Sequence, residues 1–152
     1  MFENTTWKRP AAFVLAARGV FSMHQVVYRA TGGLVGQRLG NLTFLLLTTR
    51  GAKSGLARTL PLVYGRDGDN LVLVASKGGS PKHPAWYVNL SAHPDVVVQV
   101  GSTNVWMRAR TATGAERTRL WKLMTRQYKG YDGYQQRTDR AIPIVVLEPA
   151  RS

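Results

Sequence analysis

Between Pro10 and Tyr28 the apolar residues Phe13, Ala16, Val20, Met23 and Val27 recur at helical spacing, while Arg18, Ser22, Gln25 and Arg29 fall on the opposite side. The pattern predicts a basic amphipathic helix. Arg18 interrupts it well short of the roughly 20 apolar residues that a bilayer span needs. No small-residue cleavage site follows an apolar core, so a secretory leader is a poor reading as well. Two readings stay open for this helix, a lid on the core or an interfacial anchor on anionic lipid. Gly19 within it costs about 1 kcal/mol against alanine, so its order would come from packing or from a membrane. Gly32, Gly33, Gly36 and Gly40 then predict a flexible connector. Strands are predicted at residues 43–49, 58–66 and 71–76, the last two joined into a hairpin by Asp67-Gly68-Asp69-Asn70. Pro84 suits the first turn of a short helix through Trp86, Tyr87 and Leu90, which Pro94 closes. A second hairpin pairs residues 96–100 with 104–111 around Gly101-Ser102. Thr113 with Glu116 reads as a capping box opening a helix that carries Leu120, Leu123 and Met124, and a last strand spans residues 144–147.

Strands joined by short hairpins, with helices at the start, in the middle and before the last strand, predict an α+β fold: an antiparallel sheet or small barrel with packed helices. No βαβ unit is visible. Neither glycine cluster lies between a strand and a long helix, which excludes a dinucleotide fingerprint or a P-loop. With 152 residues and 44% apolar content the chain can bury one core, and a single domain is expected.

Composition narrows the chemistry. There is no cysteine, which removes disulfides, thiolate nucleophiles and thiolate metal sites. His24, His83 and His93 lack ligand spacing, so no metal centre is expected. The 21 basic residues against 8 acidic ones give a net charge of +13, dispersed along the chain without a basic run. That argues for a polyanionic small molecule or an anionic surface rather than nucleic acid.

The candidate chemistry lies in two glycine-rich basic turns. In GAKSGLARTLP, Lys53 and Arg58 flank Ser54 and Gly55, placing two cations, a hydroxyl and a permissive backbone at a hairpin tip, as a phosphate site requires. A solvated hairpin tip has the same composition. In ASKGGSPKHPAWYVNL, Ser76, Lys77, Gly78 and Gly79 follow a strand and allow close backbone approach to a planar ligand. Trp86, Tyr87 and Asn89 come next, an indole to wall a ring and an amide to hydrogen-bond in both senses, although a lone tryptophan is more often a core residue. Tyr128, Tyr131 and Tyr134, spaced by three, form either a packed aromatic edge or a substrate wall whose phenols hydrogen-bond an oxygen and donate a proton. No Ser/His/Asp relay and no carboxylate pair is suggested, which puts ligand binding with redox chemistry ahead of hydrolysis.

The segments LLLTTRGAKSGLARTLPL, VASKGGSPKHPAWYVNL with HPDVVVQV, and YDGYQQRTDRAIPIVVLEP, in this order, resemble the deazaflavin (coenzyme F-420)-dependent nitroreductases of actinobacteria over about two thirds of the chain, Leu45 to Pro149. The resemblance implies a split β-barrel over residues 41–150 behind the helix of residues 1–30. It implies hydride transfer from reduced coenzyme F-420 to a quinone, enone or nitroaromatic. Lys53, Ser54 and Arg58 would hold the cofactor phosphate and the basic groove its oligoglutamate tail. Pro61, Leu62, Ala75, Ser76, Lys77 and Gly78 would line the deazaflavin, with Trp86, Tyr87 and Asn89 flanking it. Tyr128, Tyr131 and Tyr134 would form the acceptor side, with Tyr131 also reaching the cofactor and Ser76 near the hydride-transfer face. Three positions depart from the nitroimidazole-activating pattern: Ala52 replaces an arginine, Val63 a tyrosine and Arg137 a tryptophan. The alternatives are FMN in the same barrel and a non-catalytic F-420-binding protein. The expected location is cytoplasmic, with peripheral attachment to the inner face of the cell membrane through residues 8–30 as a further reading. The sequence leaves oligomeric state open.

Overall fold

The computed structural model describes residues 38–39 and 42–150. The predicted helix of residues 10–28 and the glycines at 32, 33, 36 and 40 lie outside the described residues. In chain order the elements are β1 (Arg38–Leu39), β2 (Leu42–Arg50), β3 (Ala57–Val63), β4 (Gly65–Asp67) and β5 (Asn70–Val74). A 3-10 turn (Lys77–Gly79), α1 (Ala85–Ala92), β6 (Asp95–Val100) and β7 (Thr103–Thr111) follow, then α2 (Gly114–Gln127), α3 (Gly130–Gln136) and β8 (Ile144–Pro149).

All pairings are antiparallel, and the strands run β1-β2-β6-β7-β8-β5-β4 with β3 added on β2. β3 and β4 therefore sit near opposite ends of the ladder, yet only Tyr64 separates them in the chain. A sheet whose two ends are one residue apart must curl until they meet, which makes a barrel split along the β3/β4 seam. Tyr64 fastens that seam: its N–H donates to the Thr43 carbonyl at 3.0 Å, and its own carbonyl accepts from Gln127 Nε2 at 2.7 Å. The single strand predicted over residues 58–66 is thus two strands. Its first part pairs with β2, and only Gly65–Asp67 joins β5 in the predicted hairpin.

Alternation explains the buried runs. Leu71, Leu73, Val145 and Leu147 point into the barrel, while Val72, Val74, Ile144 and Val146 point outward under α2 and α3 with Leu120 and Met124. Both faces of β5 and β8 are covered, so these strands read as continuous apolar stretches. Pro61 lies on β3, which pairs with no strand but β2 among the described residues, and an edge position tolerates its missing N–H.

Helix α1 begins after Pro84, whose φ of −64° suits a helix entry, and ends at Ala92, with extended His93 as its C-cap just before Pro94. The predicted capping box does not form. Thr113 is the N-cap of α2 but makes no side-chain capping bond. Glu116 instead accepts two hydrogen bonds from Arg110, at 2.6 and 2.8 Å. A bidentate ionic pair outcompetes a neutral cap.

Candidate active site

A cavity of about 1190 Å³ opens between β3, the β2–β3 turn, the 3-10 turn, α1 and the tyrosines around α3. That exceeds the roughly 300–1,000 Å³ of ordinary single-ligand pockets, so it has room for a large cofactor together with a second molecule.

At one end stands the β2–β3 turn. Residues 51–55 close on themselves, with Gly55 N–H donating to the Gly51 carbonyl at 2.9 Å and Gly51 N–H to the Leu56 carbonyl at 2.8 Å. Ser54 Oγ accepts from Leu56 N–H at 3.1 Å, which leaves its own proton to donate outward. Lys53 and Arg58 line the cavity and make no ion pair among the described residues. Asn89 lines the cavity and also holds the turn. Its Oδ1 accepts from Ala52 N–H at 3.0 Å and its Nδ2 donates to Thr49 Oγ1 at 3.1 Å.

Lys77, Gly78 and Gly79 form the second turn, with φ of 45°, 62° and 82°. A left-handed lysine costs about 1–2 kcal/mol. Ser76 is right-handed, and such a right-to-left succession turns successive N–H groups to one side, as anion-binding concavities do. Ser76, Lys77 and Gly78 all line the cavity, and Lys77 makes no ion pair among the described residues. A Cβ on Gly79 would lie 2.6 Å from the Tyr134 carbonyl, so only glycine lets this turn pack against α3.

Two expected residues fall outside the cavity wall. Ala75 is fully buried in the barrel core between Val74 and Ser76, which line the wall. Tyr87 faces away for a helical reason: Ala85, Trp86, Val88 and Asn89 occupy the cavity side of α1. Its hydroxyl is 2.9 Å from Thr111 Oγ1 and its ring lies 4.9 Å from His83. Trp86 serves two purposes, packing edge-on to Tyr87 in the core while lining the cavity. Pro61 and Leu62 line it from β3.

The tyrosines come together, though not along one helix. Tyr128 caps the end of α2 and the other two ride on α3, with ring centroids 5.0, 6.0 and 6.3 Å apart. Any side chain at Gly130 would run into the Tyr128 ring, so that glycine permits the fold-back. The Tyr128 and Tyr134 hydroxyls lie 2.9 Å apart, so one proton is shared between them and the other is available to an acceptor. That bond, with burial added, holds the Tyr134 phenol above its ordinary value, while Arg137, 5.6 Å from its ring, pulls the other way. Tyr131 is only 6% exposed, lines the cavity, and its hydroxyl has no partner among the described residues. Burial first, then its two neighbours, push it up to about 12. A buried hydroxyl without a protein partner calls for one from a ligand.

Sequence reasoning missed the apolar wall of Leu42, Phe44, Leu60 and Val88. The signal was there for two of them. Leu42 and Phe44 alternate with the buried Leu45 and Leu47, so they belong to the other face of β2.

The residues present suit a polyanion with a flat ring: cations at both turns that are unpaired among the described residues, an indole and apolar walls, and a buried phenol without a partner among the described residues. Among the described residues no cluster of side chains fits a metal ion. A model of the family described as F420H(2)-dependent quinone reductase matches residues 20–149. An F420H(2)-dependent quinone reductase of Mycobacterium tuberculosis is 43% identical over 129 residues, covering 82% of this chain and 87% of that protein. A solved structure of the F420-H2 dependent reductase FDR-A superposes with a TM-score of 0.64 at 45% identity, over 69% of this chain and 93% of its own. A solved domain-swapped dimer gives a TM-score of 0.66 at 37% identity, over 86% of this chain and 99% of its own.

Proposed function

Since the chain belongs to the F420H(2)-dependent quinone reductase family, we propose that this cavity receives reduced coenzyme F-420 and a quinone together. The protein is an oxidoreductase whose cofactor is the deazaflavin, in preference to FMN or to a purely carrying role. What supports the reading most is one coincidence: a single cavity is lined by cations at both glycine turns that make no ion pair among the described residues and by a buried phenol that has no partner among them.

When bound, the reduced deazaflavin supplies a hydride, two electrons in one step. The rest falls to the chain. Lys53, Arg58 and the Ser54 hydroxyl hold the phosphate, and Asn89 keeps that turn in shape. Pro61, Leu62 and Trp86 would wall the ring and exclude water, and Ser76, Lys77 and Gly78 would line it from the second turn. Tyr131 donates its phenol proton in a hydrogen bond to a quinone oxygen. The spare proton of the Tyr128–Tyr134 pair serves the same oxygen as charge develops there, and hydride plus proton convert quinone to hydroquinone. Tyr131, neutral far above physiological pH, acts as a hydrogen-bond donor rather than as an anion. Residues 41–150 are the deazaflavin-binding domain, and residues 8–30, whose sequence carries the amphipathic pattern, are the segment through which a cytoplasmic protein would attach peripherally to the membrane. Lipid solubility of long-tailed quinones and the net charge of +13 support that attachment.

Fluorescence titration of F-420 tests the assignment. Wild type is expected to bind at micromolar or tighter concentrations, with Lys53→Ala about tenfold weaker through loss of one charge-assisted contact. Absence of binding by the wild type would overturn it.

A further inference from the structure

Ser76, Lys77 and Gly78 reach the cavity from a turn that begins after β5 has ended and that carries three successive left-handed residues. A strained turn persists only where its surroundings over-determine it. The group that does so is Arg140, in the loop between α3 and β8. Its Nε donates to the Ser80 carbonyl at 2.8 Å and its Nη2 to the Ser76 carbonyl at 2.8 Å. Its Nη1 serves the Ala75 carbonyl at 3.3 Å and His83 Nδ1 at 3.1 Å. A guanidinium only donates, so His83 Nδ1 accepts and the His83 proton sits on Nε2. One planar cation thus gathers acceptors from both ends of the turn.

Arg140 is itself held from α3. Gln135 Nε2 donates to the Arg140 carbonyl at 2.8 Å, and Gln135 Oε1 accepts from Ile142 N–H at 2.9 Å. The connection runs from the helix that carries Tyr131 and Tyr134, through Gln135 and Arg140, to the turn that carries Ser76, Lys77 and Gly78. Gly79 packing on the Tyr134 carbonyl closes the same junction from the other side.

We infer that Arg140 is a positioning residue that fixes the Ser76–Gly78 turn against the tyrosines of α3, and so sets the gap between the cofactor wall and the acceptor wall. It lies outside the cavity lining and acts through the turn. The inference rests on the proposed function for what fills the gap, but not for the clamp. A fork of donors is required. Arg140→Lys keeps the charge and loses the fork, which separates a geometric role from an electrostatic one.

The test compares wild type, Arg140→Lys and Arg140→Met by hydrogen exchange without ligand, then by F-420 titration and turnover of a soluble naphthoquinone. The reporters are the amides of Gly79 and Ser80, bonded to the Ser76 and Lys77 carbonyls at 2.9 and 3.1 Å. In both variants these amides exchange about tenfold faster while those of β2 and β6 do not change. kcat falls about ten- to a hundredfold, as slight misplacement of reactants does, with a smaller change in KM. Exchange within twofold of wild type, or full kcat in Arg140→Lys, would overturn the inference. Should both variants fail to fold, Gln135→Ala releases the same loop with the guanidinium intact; local acceleration at Gly79 and Ser80 supports the clamp and its absence refutes it. Failure of the wild type to bind F-420 would remove the proposed function, and the exchange comparison would still decide the clamp.

Discussion

Asn89 shows what a residue's type leaves unsaid. Its amide was legible as a two-way hydrogen-bonding group on a helix beside Trp86, but which partners it met depended on α1 packing behind the β2–β3 turn. Both ends are used on Thr49 and Ala52, so Asn89→Ala should destabilise the fold by about 1–3 kcal/mol, the cost of leaving such groups unpaired. Denaturant melts measure that, and F-420 binding should weaken alongside. Tyr87 makes the same point through periodicity. Neighbours in a good motif point opposite ways, and a motif match does not say which. Tyr131 gives the converse expectation. Since its hydroxyl has no partner among the described residues, Tyr131→Phe should leave stability within about 0.5 kcal/mol while lowering kcat/KM for quinone about tenfold or more. Burial raises its phenol from 10.0 to about 12, so the folded state holds the proton more tightly than the unfolded chain. The associated stability is complete below pH 10 and erodes from there toward pH 12; the Phe variant should lack that alkaline loss.

At the scale of elements, local signals were sufficient wherever chain neighbours pair. The hairpin of β6 and β7, α1 between its two prolines, and α2 were all legible, because turn residues and periodicity act within a few positions. The break at Tyr64 was not. Residues 57–67 continue one strand-like pattern, and nothing local records that the partner changes from β2 to β5 at a single residue. The capping box failed for a related reason, since Arg110 competes for Glu116 from a different strand. Thr113→Ala should accordingly cost under about 0.5 kcal/mol in thermal or urea unfolding, where a working cap would cost about 1.

For the molecule as a whole, sign and distribution of charge set two expectations. Hydrogen bonds from Arg119 and Arg110 hold the Asp67 and Glu116 carboxyls below their ordinary 3.8 and 4.5. The folded state therefore binds fewer protons in acid than the unfolded chain, and this stability is present above pH 4.5 and lost as pH falls through that range. Urea titrations at pH 6 and pH 3 should show the loss shrinking in Arg110→Ala. Among the described residues no helix is long and apolar enough to cross a membrane. Attachment, if it resides in the amphipathic segment, should disappear on its removal: the full chain floats with anionic liposomes and a chain lacking residues 1–30 does not. Equal flotation of both would refute the anchor.

One property of β3 bears on how such a site diversifies. Consecutive residues from Arg58 to Val63, rather than alternate ones, line the cavity, so the cavity runs beside the edge of the strand that is unpaired among the described residues. Along that edge a ligand meets peptide groups, interrupted only where Pro61 lacks its N–H. Peptide groups are indifferent to substitution. Side chains there are free to reshape the chamber, while the peptide groups that line it pass unaltered from one variant to the next.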